Sequence, residues 1–300
     1  MSTKVQIVGL KWLFFDILLY ISDLTLRLQS QLFMPFALVF YYFIAFLGNI
    51  SPFLDVKLTG THPKIGIDKG GKNDVADLGV KTIYLSFDDG PLTGSTNCID
   101  ICTRENVMAT FFQVGLHQSR SAFGKKTYQQ ILNNSSLFAL ANHSYSHASN
   151  NYLNFYQHPD SAVLDFLKAK TVLQPTNNIT RLPGNNAWNL NGIKRASPLV
   201  LPLVNKLDSV GFNIIGWDLQ WRFNKMGRPI QSPATLAVIV DSLFQHHQTV
   251  TKNQLVILMH DHMFRAPADS LKLEKFIQLL KKRGQYRFRK LTQYPGLKLP

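Results

Sequence analysis

Two adjacent carboxylates, Asp88 and Asp89, stand at the end of the apolar run Thr82-Ile83-Tyr84-Leu85, with Gly90-Pro91 directly after them. On a regular strand successive side chains point to opposite faces, so neighbouring aspartates do not both enter one core. An acidic pair at a strand end can instead divide the work, one carboxylate binding a metal and the other handling a proton. Taken alone, Asp-Asp-Gly is more often a solvated turn with helix-capping aspartates. The rest of the chain favours the chemical reading. His143 and His147 stand four apart in Asn142-His143-Ser144-Tyr145-Ser146-His147. That spacing predicts two imidazoles on one face of a helical turn, within reach of one ion. One aspartate added to them gives two nitrogens and one oxygen. Three protein ligands and an open position form the pattern of a catalytic metal site.

The elements that must position these groups follow from the apolar runs. Leu137-Phe138-Ala139-Leu140-Ala141 reads as a buried strand leading to His143, and Leu255-Val256-Ile257-Leu258-Met259 as one ending in His260-Asp261-His262. Arg181-Leu182-Pro183-Gly184 and Gly216-Trp217-Asp218 lie between them. Each is weak singly, since an Arg before Leu-Pro is often a surface residue and a Trp-Asp pair often packing. Together they recur: apolar runs end in His, Asp or Arg, with helix-like segments between. An α/β barrel presents its site in this way, at the C-terminal ends of its strands.

With these residues assembled, the chain resembles the polysaccharide deacetylase family, carbohydrate esterase family four, the NodB-homology domain. Thr82 to Pro91 and Ala109-Thr110-Phe111-Phe112 resemble its first motif and the following strand; Asn142 to His147 resembles the second motif, Arg181-Leu182-Pro183 the third and Leu258-Met259-His260 the fifth. Order and spacing agree across roughly residues 81–295. Two departures stand out. The fourth motif keeps one aspartate, Asp218, in Trp217-Asp218-Leu219-Gln220-Trp221, and Gly184 follows Pro183 where an aromatic residue is common. Both bear on the sugar-binding subsite.

The resemblance implies an α/β fold, a distorted (β/α) barrel. It also implies a metal-dependent hydrolase that removes N-acetyl groups from an N-acetylated glycan. Asp89, His143 and His147 would hold a divalent ion, with Zn²⁺ suited to mixed imidazole and carboxylate ligands. Asp88 would be the base, paired with Arg181, and His260 the acid that protonates the leaving amine. Asp218 would orient His260 and favour its imidazolium form. A backbone N–H after Pro183 would stabilise the oxyanion. Two rival readings are a deacylase of a lipid-linked sugar and a catalytically inactive glycan-binding relative. His117, His158, His246 and His247 have no place in this scheme and read as surface or packing residues. Trp188, Trp217 and Trp221 are equally core residues or pocket walls.

The chain has 300 residues, of which 45% are hydrophobic, which suits one large domain or a domain plus an anchor. Its expected division is an apolar N-terminal segment 1–50, a Gly- and Lys-rich linker 51–80 and a catalytic domain 81–300. Residues 32–50 carry no charge and meet the length of a spanning helix, whereas Lys11, Asp16, Asp23 and Arg27 suit an interfacial helix before them. A membrane anchor is expected, with a cleaved signal or helices packed on the barrel as alternatives. The positive-inside rule leaves the orientation open, because lysines and arginines are few on both sides. The location of polymeric sugars favours a catalytic domain outside the cytoplasm, in the cell envelope. The net charge of +14, dense from Lys272 to Lys290, reads as a solvated helix face or as attraction to an anionic membrane or acidic glycan. No nucleic-acid partner is expected, for want of a zinc finger or RNA-binding motif. Cys98 and Cys102 read as packing residues on a helix.

Overall fold

The computed structural model describes residues 79–190 and 192–298. The apolar segment 1–50, and the expected linker except for its last two residues, lie outside the described residues. Among these residues no helix is long and apolar enough to cross a membrane.

The longest strands are β1 (Thr82–Gly90) and β9 (Gln254–His260), side by side in parallel from Thr82–Gln254 to Asp88–His260. Both are buried almost throughout, as expected of strands covered on two faces. From β1 the sheet continues in parallel through β2 (Ala109–Gln113), β3 (Phe138–Asn142), β4 (Ile179–Thr180) and β7 (Asn213–Ile214). On the other side β8 (Leu219–Gln220) pairs with β9, and β10 (Arg287–Phe288) adds to the start of β1. An antiparallel hairpin of β5 (Trp188–Leu190) and β6 (Ile193–Arg195) extends the far edge. The result is a curled, mostly parallel sheet with helices outside it, a distorted barrel open between β8 and β6.

Alternation along β1 divides the core. Ile83, Leu85 and Phe87 point out toward the helices α1 (Ser95–Arg104), α7 (Pro233–Gln245) and α8 (Pro267–Lys282), where they meet Cys98, Cys102, Leu236 and Phe276. Cys98 and Cys102 are buried free thiols, the packing role expected of them. Between β2 and β3 come α2 (Gly115–Arg120) and α3 (Ala122–Asn133). The helices α4 (Tyr152–Gln157), α5 (Pro159–Leu173) and α6 (Leu201–Ser209) close a second apolar cluster with Phe166, Leu203 and Phe212. Tyr84, Ser86 and Asp88 take the other face of β1. Tyr84 joins Phe112, Trp188, Val256 and Tyr294 in the barrel interior. Trp188 and Trp221 are thus core residues. Along the basic C-terminal stretch, Lys272 pairs with Asp269, Lys281 with Glu105 and Arg283 with Asp241, the pattern of a solvated helix face.

Candidate active site

A break in strand register brings the two aspartates together. Phe87 pairs with Phe111 and Gly90 with Gln113, so three steps on β1 match two on β2. Such a bulge re-aims a side chain. Asp89 takes the left-handed region at φ 74°, and its carboxylate turns to the same side as that of Asp88. Both then face one imidazole: His143 Nε2 lies 3.7 Å from Asp88 Oδ2 and 3.4 Å from Asp89 Oδ1. Gly90 completes the bulge, where a methyl group would overlap Asp261 Oδ2 and Gln113 Nε2.

The histidines are not on a helical turn, as their spacing predicts. His143 follows β3 directly, and the chain then turns left-handed, with φ 53°, 54°, 48° and 60° over His147, Ala148, Ser149 and Asn150. Local bonds replace helical ones. Ser144 Oγ accepts from the His147 N–H at 3.0 Å, and Asp165 Oδ2 accepts from the N–H groups of Tyr145 and Ser146. Strained backbone of this kind persists where surrounding contacts over-determine it. The His143 Nδ1 lies 3.0 Å from the Arg181 carbonyl, which makes Nδ1 a protonated nitrogen, and Nε2 faces Asp89. His147 Nε2 is 3.0 Å from Asp89 Oδ1.

Ligand atoms of Asp89, His143 and His147 all lie within 4.8 Å of one another. Asp89 Oδ1 is buried and accepts no hydrogen bond. A buried orphan carboxylate oxygen facing two imidazole nitrogens fits a divalent cation. Burial alone would raise the Asp89 carboxyl, but the imidazoles of His143 and His147 hold it well below the usual carboxylate range.

Arg181 is fully buried and spends its donors on fixed acceptors. Nη1 donates to Asp88 Oδ1 and Ser86 Oγ, each at 2.8 Å, Nη2 to the Gly216 carbonyl at 2.7 Å and Nε to the Ile215 carbonyl at 3.1 Å. The guanidinium lies 4.1 Å from the Phe112 ring centre. Asp88 therefore has one oxygen on Arg181 and the other turned to the His143 side. His260 is its register partner on β9, so base and acid candidates stand side by side.

The match to the family model for "Polysaccharide deacetylase" covers residues 76–181. YheN of Bacillus subtilis (strain 168), a protein named as a polysaccharide deacetylase, is 28% identical over 208 residues, 69% of this chain and 66% of its own. A peptidoglycan-N-acetylglucosamine deacetylase of Bacillus cereus is 26% identical over 214 residues, 69% of each chain. The catalytic domain of peptidoglycan N-acetylglucosamine deacetylase from Eubacterium rectale superposes with a TM-score of 0.53 at 25% identity, covering 73% of this chain and 92% of that one. By these matches the chain is similar to the polysaccharide deacetylase family. It spans about two thirds of the length of the curated relatives, 66% and 69%.

Both motif departures have a structural outcome. The aromatic residue missing after Pro183 is matched by Tyr152 of α4. Its ring covers Gly184, which has φ 65°, and stands edge-on to His147 at 5.8 Å. Asp218 does not orient His260, a correction to its expected role. Its oxygens accept the N–H groups of Val250 at 2.6 Å and Val256 at 2.7 Å. His260 Nδ1 is buried and closes no hydrogen bond, although the Met263 N–H approaches the ring. Burial pushes the His260 imidazole below its ordinary value, so the folded chain favours the neutral ring rather than the expected imidazolium.

Two groups were not legible in the motifs. His117, on α2, is 2.7 Å from the Asp89 carbonyl through Nδ1 and so supports the left-handed turn of Asp89. Asp261, fully buried, accepts from Ser95 Oγ and backs the Gly90 bulge. His117 could have been suspected only from its place two residues past Gly115, after the Ala-Thr-Phe-Phe strand.

Proposed function

We propose that this chain is a metal-dependent hydrolase that removes N-acetyl groups from an N-acetylated sugar polymer or oligosaccharide. The observation that carries the reading is the meeting, at the C-terminal ends of neighbouring strands, of Asp89, His143 and His147 with Asp88 on Arg181 and His260 alongside. A divalent cation, Zn²⁺ by its donor set, would there lower the pKa of water and polarise the amide carbonyl.

The chain's own groups supply the proton transfers. Asp88 takes the proton of the attacking water at the oxygen not held by Arg181. His260, neutral at rest, must first take up a proton from solvent and then delivers it to the leaving amine nitrogen, which an amide requires because its amine leaves poorly unprotonated. Such acid–base help is worth about 10²–10⁴-fold. The likeness to peptidoglycan deacetylases supports an envelope glycan as substrate. The uncharged run 32–50 supports attachment to a membrane, with the catalytic domain outside the cytoplasm.

Acetate release by the full chain from chitin oligosaccharides and peptidoglycan fragments tests the reading. Release that chelator abolishes and Zn²⁺ restores is the expected result. Absence of acetate from every N-acetylated substrate, with metal bound, would overturn it.

A further inference from the structure

His260 lacks the partner that usually holds a buried imidazole. Among the described residues no carboxylate binds it, Asp218 is engaged elsewhere and Nδ1 has no side-chain partner, only the Met263 N–H beside it. An aromatic ring occupies its flank. Phe223 meets His260 edge to face, with centroids 5.0 Å apart and planes at 75°, and meets His262 at 4.6 Å and 87°. His262 in turn packs against Gly227. One ring therefore braces both imidazoles after β9.

Phe223 is 37% exposed, but its backbone is firmly held. It bridges to Pro229, which closes residues 224–228 into a tight loop. Inside that loop Asn224 Oδ1 accepts the N–H groups of Met226 and Arg228, and the Asn224 carbonyl accepts from Gly227 at 2.8 Å. Arg265 donates to the carbonyls of Met226 and His262, tying the loop to the turn after His260. Arg228 Nε reaches the buried Asp269 at 2.9 Å. A side chain on such a support can fix a neighbour by shape.

We infer that Phe223 is the positioning residue of His260, holding the imidazole by edge-to-face packing where a carboxylate tether is absent. This rests on His260 serving as the acid in the reaction proposed above. Edge-to-face packing sets orientation through the ring quadrupole and needs no charge. An aliphatic residue fills the volume without that preference, and tyrosine retains it.

The test compares F223L, F223M and F223Y in the full chain labelled with ¹³C-histidine, the His260 signal being assigned with H260Q. Beyond the loss of the ring current itself, the His260 ring resonances in F223L and F223M should broaden as the ring leaves a single orientation, while those of His143 and His147 stay sharp. F223Y should keep all three. With Zn²⁺ present, F223L should lower kcat by about 3- to 10-fold with KM changed less than about twofold, and F223Y should recover the rate. His260 resonances as sharp in both aliphatic variants as in wild type would overturn the inference, as would a loss confined to KM. A wild-type chain that releases no acetate would remove the acid role of His260, while the resonances would still decide whether Phe223 holds the ring.

Discussion

Asp88 and His260 face each other across the β1–β9 ladder, yet they are held by different means. Asp88 is fixed by a buried guanidinium that itself has three further acceptors. His260 touches aromatic rings and closes no side-chain hydrogen bond through Nδ1. A buried charge is tolerated only when paired and hydrogen-bonded, so the carboxylate side needs a dense polar network. A neutral imidazole needs none, and burial favours that form of His260. The comparison teaches that one barrel mouth can hold a carboxylate electrostatically and an imidazole sterically.

The largest expected effect comes from breaking the charged side. Asp88→Asn should lower turnover by about 10²–10⁴-fold while bound metal per chain, measured by elemental analysis, stays unchanged. A near-normal rate would remove Asp88 as the base. His117→Ala should act one step further out, by freeing the Asp89 carbonyl. Metal affinity should then fall by about 10- to 100-fold, as for other outer partners of metal ligands, and competition with a chromophoric chelator reads it. Unchanged affinity would make His117 a packing residue after all.

How much of this was legible in sequence divides along the same line. Asp88, Asp89, His143, Arg181 and His260 stand at the ends of apolar runs, and those runs are strands. The chemistry of the charged side therefore follows from residue types and order. The bulge that unites Asp88 and Asp89 exists only in the pairing of β1 with β2. The left-handed turn at His147 depends on Ser144 and Asp165, which carry no helical or strand period. Asp218 misleads because its acceptors are satisfied by backbone N–H groups, which leave no mark in a sequence. Phe223 likewise looks like any loop aromatic until the Asn224 loop is folded.

Asp261 allows the bulge itself to be tested through pH. Burial pushes its carboxyl up from 3.8 to about 8, so between those values the folded chain binds a proton that the unfolded chain has released. Stability from this group is fully present below about pH 4 and is lost as pH rises through about 8. Asp261→Asn should flatten the decline of Tm across that window, measured by calorimetry on chelator-treated protein. An unchanged slope would show that Asp261 is ionised and balanced in the folded chain, and that some other group supports Gly90.

The smallest effect on turnover is expected at Asp218, and it separates the two ways of holding His260 most directly. Asparagine at this position offers one acceptor oxygen where the N–H groups of Val250 and Val256 now find two. One of them loses its partner, at a cost of about 1–3 kcal/mol, read by denaturant unfolding. Turnover should nevertheless stay within about twofold of wild type, because no bond from Asp218 reaches His260 and a twofold change is under about 0.5 kcal/mol. If Asp218→Asn instead lowered kcat as far as Asp88→Asn while stability held, the tether would form during the reaction. Steric support by Phe223 would then be a feature of the resting site alone.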